Sequence, residues 1–84
     1  MSVYFITFRS VTLAQRGEGV LMAGGIRSSL QRTPRWMEER GCGYCLRLRH
    51  NEIGRCVALL RQARVDFRKI YRKVGEGNVE EVAL

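Results

Sequence analysis

From Gly43 to Arg49 the chain alternates. Tyr44, Leu46 and Leu48 share one parity, and Cys45, Arg47 and Arg49 share the other. Successive side chains of a strand point to opposite faces, so this pattern predicts a half-exposed strand with a basic outer face. Such a strand needs sheet neighbours and a layer to cover its apolar side. The rest of the chain supplies both.

Val3-Tyr4-Phe5-Ile6-Thr7-Phe8 is β-branched and aromatic, and reads as a buried strand. Ser10 or Thr12 can cap the helix that follows. Leu13, Ala14, Gly17, Val20, Leu21 and Gly24 recur at helical spacing on one face. Gly24-Gly25 is a stop signal, because a glycine after a helix takes the left-handed conformation cheaply. Ile26 to Leu30 reads as a second strand. Residues 31–42 form a polar connection containing Pro34, which permits a short helical turn through Glu39. Asn51 is a candidate cap for a second helix, whose inner stripe is Ile53, Cys56, Val57, Leu60 and Ala63. Phe67 to Arg72 reads as the last strand.

The predicted order is β-α-β-β-α-β. It implies an α+β fold, a ferredoxin-like two-layer sandwich with both helices on one sheet face. Residues 1–73 make one domain, and 74–84 are expected to be a loose acidic tail. With 84 residues there is room for one modest core and none for a second domain.

All 15 basic residues lie between Arg9 and Lys73, and 13 are arginines; the tail carries Glu76, Glu80 and Glu81. A basic body favours anionic partners such as nucleic acid, an acidic protein surface or a thiolate. No run approaches the roughly 20 apolar residues that span a bilayer, and no leader pattern is visible. The expected setting is therefore the cytoplasm, with no membrane partner. An odd cysteine count of three argues against a secretory disulfide framework.

Cys42 and Cys45 form a C-x-x-C pair. A dithiol oxidoreductase needs that pair at a helix N-terminus, where the dipole stabilises a thiolate; here Cys45 enters a strand. Cys42, Cys45, His50 and Cys56 approximate a zinc knuckle. In an extended strand, however, Cys45 and His50 lie roughly 16 Å apart, too far for one tetrahedral ion. No metal or cofactor is expected. Cys56 falls on a helix's inner stripe as a small hydrophobe, and His50 at a strand end, with no nucleophile to serve as general base. Cys42 remains, flanked by Gly41 and Gly43, which leave the backbone open to a bound group. Arg35, Arg40 and Arg47 are near in sequence and would favour the thiolate.

Several features in order resemble the selenium/sulfur carrier-like family of small bacterial proteins. They are Phe5-Ile6-Thr7-Phe8, Ala14 with Glu18, Gly25-Ile26, Pro34-Arg35, Cys42-Gly43 with Leu46-Arg47, and Ile70-Tyr71. The similarity runs from about Tyr4 to Tyr71. It implies that Cys42 carries a persulfide or its selenium counterpart, as a carrier rather than a stand-alone enzyme. Gly41, Gly43, Arg35 and Arg47 would hold the anionic cargo. The implied partners are a donor such as a cysteine desulfurase and an acceptor protein. Two departures stand out: Arg40-Gly41 precedes the cysteine in place of small polar residues, and Cys45 replaces a small apolar one. The latter is either a neutral swap or a resolving thiol.

Two other readings stay open. The arginine-rich sheet face can bind single-stranded RNA, although Tyr44 has core parity and the third strand lacks the aromatic-rich signature of RNA-recognition motifs. Alternatively the chain is a scaffold or regulatory subunit, with a homodimer formed through the open sheet face or the tail.

Overall fold

A computed structural model describes residues 2–34 and 43–83. Seven elements follow one another: β1 (Ser2–Phe8), α1 (Val11–Ala23), β2 (Ser28–Arg32), β3 (Tyr44–His50), α2 (Ile53–Gln62), β4 (Ile70–Gly75) and β5 (Asn78–Glu81). The fold is α+β, with one antiparallel five-stranded sheet in the order β2-β3-β1-β4-β5.

Register explains how the sequence sorts itself between faces. Ile6 pairs with Leu46 on one side and Ile70 on the other. These three residues, with Tyr4, Phe8 and Leu48, face the helices and form the main core. From α1 that core receives Ala14 and Leu21, and from α2 Ile53, Cys56, Val57 and Leu60. Both helices therefore cover the same sheet face. On the opposite face Phe5 and Cys45 form a second, smaller cluster with Val3, Tyr71 and Val79 packed against it.

Local signals set the helix ends. The Ser10 hydroxyl accepts the Leu13 N–H at 3.2 Å, so Ser10 rather than Thr12 caps α1. Past Ala23, the Gly25 N–H donates to the Met22 carbonyl and the Ile26 N–H to the Leu21 carbonyl. This paired closure needs a left-handed residue, and Gly25 supplies it at φ 83°. The turn uses Ile26, so β2 begins at Ser28 rather than Ile26. The same closure ends α2: Arg64 N–H to Arg61 carbonyl, Val65 N–H to Leu60 carbonyl, with Arg64 at φ 58°. At the start of α2, Glu52 occupies the cap position expected for Asn51, with no side-chain cap bond.

Two expectations about the C-terminal third need correction. The last strand begins at Ile70 instead of Phe67. Thr7 interrupts the ladder there: its hydroxyl donates to the Lys69 carbonyl and accepts the Lys69 N–H. The segment 74–84, expected to be a loose tail, carries β5 and adds a fifth strand to the four predicted. Its acids explain the pairing. Glu80 meets Arg72 and Glu81 meets Lys69 across the β4–β5 hairpin, while Val79 and Val82 pack on the two faces of the sheet. Opposite charges directly across a ladder stabilise it modestly, and Gly77 at φ 73° makes the connecting turn.

No helix among the described residues is long and apolar enough to cross a membrane.

Candidate functional site

The expected site residues Cys42, Gly41 and Arg35, and the helical turn through Glu39, lie outside the described residues. What the structure does describe is the frame on either side. Thr33 and Gly43 close the β2–β3 pair: the Thr33 N–H donates to the Gly43 carbonyl at 3.0 Å, one step beyond the Arg32–Tyr44 pair. Gly43, which follows Cys42 in sequence, is buried. β1 ends at the same level, with Phe8 opposite Tyr44, and α1 starts there at its Ser10 cap.

This end of the sheet is basic. Arg9 follows Phe8 directly. Arg32 lies over the Tyr44 ring, 5.8 Å from its centroid, within cation–π range. Arg68 and Lys69 are held at the same end by hydrogen bonds to Thr7. A groove of about 420 Å³ runs between Arg9, Leu13, Asp66, Phe67, Arg68 and Lys69.

Thr33 was not singled out by sequence reasoning. It is 6% exposed, and its hydroxyl has no hydrogen-bond partner among the described residues. A buried hydroxyl without a partner is costly, so an acceptor at this position would be stabilising. The one available signal was Thr33-Pro34 at a strand end, since a residue before proline is held extended.

The remaining candidates separate. Cys45 has the predicted parity, but the face it points to is not open at that position: Cys45 is fully buried beside Phe5. Cys56 is fully buried in the main core, on the helix side. Burial pushes its thiol above the usual range, against a smaller downward pull from Arg55. The sheet therefore stands between Cys45 and Cys56, so the two cannot share a zinc ion. Among the described residues no three His, Cys, Asp or Glu side chains gather around a common point. Arg47 lies on the outer face opposite Ser29 and Phe5. It is four residues from Gly43, or roughly 13 Å along the strand.

Burial makes a direct prediction for the thiols. In a Cys42→Ser variant, Cys45 and Cys56 are expected to stay silent toward an aromatic disulfide reagent until denaturant is added. Rapid colour release in native buffer would contradict the packing of both.

A family model described as "Putative Se/S carrier protein-like" matches residues 3–72. Neither the curated proteins nor the solved structures give a match. The matched span runs from β1 into β4 and includes the whole β2–β3 connection. The chain belongs to this Se/S carrier-like family.

Proposed function

From membership of this family, we propose that the protein carries sulfur or selenium as a persulfide or perselenide on Cys42. The observation that carries the reading is the family match across the segment that contains the Cys42-Gly43 pair. The geometry supports it from both flanks. Gly43 is fixed by Thr33, Arg9, Arg32 and Arg68 stand at that end of the sheet, and the Thr33 hydroxyl has no partner among the described residues and could donate to an anion.

The transfer is a displacement at sulfur. The Cys42 thiolate attacks the terminal sulfur of a donor persulfide, such as that of a cysteine desulfurase. The donor's S–S bond breaks, the donor leaves as a thiolate, and a new S–S bond forms on Cys42. An acceptor nucleophile then attacks the terminal atom and Cys42 leaves as thiolate. No external oxidant or reductant is consumed. A selenium cargo follows the same course with an S–Se bond. Arg35 and the basic sheet end stabilise the anionic cargo. Cys45, buried against Phe5, takes no part in resolving it. The reducing cytosol is the compartment in which such a thiol stays free.

Incubation with a desulfurase and cysteine should add the mass of one sulfur, located on Cys42 by peptide mapping. Cys42→Ala should abolish the increment, and Cys45→Ala should leave it intact. An equal increment in Cys42→Ala overturns the proposal.

A further inference from the structure

We propose that the outer edge of β2 and β3, around Arg27, Arg47 and Arg49, is a binding site for single-stranded nucleic acid. This function is separate from the thiol.

Three arginines line one surface groove there. Ser29 pairs with Arg47, and Arg27, just before β2, lines the same groove as Arg47 and Arg49. Neighbouring strands lie about 4.8 Å apart and same-face residues about 6.6 Å apart along a strand. The three arginines are thus adjacent. Arg27 and Arg49 are exposed and Arg47 is half-buried. None of the three has an ion pair or hydrogen bond with a described side chain. Like charges facing each other across strands are destabilising, so folding alone does not favour this grouping.

The opposite edge of the sheet is different. There β5 supplies Glu80 to Arg72 and Glu81 to Lys69. The acids of the C-terminal segment offset charge at the β4–β5 edge and leave the β2–β3 edge strongly positive. A groove of about 650 Å³ lies at that positive edge, lined by residues 25–29 and 47–49, with Ile26 and Leu48 as its apolar members. Guanidinium forks match phosphate oxygens in pairs.

Two strands from Arg47, Tyr71 lies on the same face. Phe5 sits beside Arg47 on β1, and Tyr71 beside Phe5 on β4. Phe5 is buried, and Tyr71, half-buried, packs against it on the same face. A cationic groove with a neighbouring aromatic is how proteins hold single strands, through the backbone and one or more stacked bases. An acidic peptide would satisfy the arginines but leave the ring unused. Nucleic acid uses both.

The test is anisotropy of a labelled short oligouridylate titrated at several salt concentrations. Three phosphate contacts give a slope near −2 in log affinity against log salt, or about twenty-fold weaker binding for a four-fold rise in salt. Arg27→Gln/Arg47→Gln/Arg49→Gln should bind at least about ten-fold more weakly at low salt and lose most of that slope. Tyr71→Leu should weaken binding by about five-fold or more with the slope unchanged. The charge-matched control Arg16→Gln/Arg61→Gln/Arg64→Gln, on the helical layer and in the turn that ends α2, should bind within two-fold of wild type. Cys42→Ser should bind as wild type does. Equal losses in the two triple variants, or binding of an oligoglutamate peptide in place of oligouridylate, overturn the proposal. Thermal melts close the remaining gap: the Arg27/Arg47/Arg49 variant should melt no lower than wild type, because it relieves repulsion.

Discussion

Replacing Ile6 with alanine is expected to lower stability by about 3–4 kcal/mol. Ile6 is fully buried at the centre of the three inner strands, between Leu46 and Ile70, with the helical layer above it. Deleting its outer carbons removes apolar burial and leaves a cavity. The neighbours cannot collapse into that cavity without shifting three strands at once. Small domains hold about 0.05–0.15 kcal/mol of stability per residue, so this loss consumes much of the total. In thermal terms it corresponds to a drop of roughly 15–25 °C for a domain of this size. Urea unfolding should show a lower midpoint with an unchanged slope, since the surface exposed on unfolding barely changes. A shift under 1 kcal/mol would mean that Ile6 does not sit at the centre of the packing described.

The same residue shows why much of this fold was legible in the sequence. Strand alternation at Tyr4, Ile6 and Phe8 and at Tyr44, Leu46 and Leu48 is a short-range signal, imposed by the pleat itself. Each helix wrote its inner stripe at 3.6-residue spacing, and every buried residue of α1 and α2 lies on the stripe predicted for it. β5 was not legible, because Asn78-Val79-Glu80-Glu81 is polar and acidic. It is a strand because it pairs with the edge of β4, where Val79 and Val82 pack on the two faces and Arg72 and Lys69 meet its acids. That information sits about ten residues away in the partner strand, outside any local pattern. The burial of Cys45 was hidden for a related reason: parity assigns a side chain to a face, but Phe5, Tyr71 and Val79 decide what gathers there. At the candidate site, Cys42 stood out by its glycine neighbours. Thr33 did not, because its significance comes from a hydrogen bond to Gly43 between β2 and β3 and from a hydroxyl with no partner among the described residues.

Alanine substitutions at Gly17 and Gly19 are expected to act in opposite directions, although the two sites lie two residues apart in α1. Both changes gain up to about 1 kcal/mol of helix propensity. At Gly19 nothing lies within 4 Å of the added methyl group, so that gain should be realised nearly in full. At Gly17 the new carbon would stand 2.9 Å from the tip of the Phe8 ring and 3.3 Å from a Leu46 methyl. Phe8 is 1% exposed and Leu46 fully buried, so neither can retreat without displacing other core atoms. Overpacking of this kind costs about 1–3 kcal/mol, which outweighs the propensity gain and leaves Gly17→Ala a net loss of about 1 kcal/mol. Gly17→Leu, with three further carbons, should exceed 3 kcal/mol. Urea midpoints of the three variants decide the matter. Should Gly17→Ala stabilise as much as Gly19→Ala, α1 would have to ride higher over β1 and β3 than the structure places it. Under the proposed carrier function, Gly17→Leu, which displaces Phe8 at the end of β1, should slow sulfur loading of Cys42 in the fraction that remains folded, whereas Gly19→Ala should leave loading unchanged.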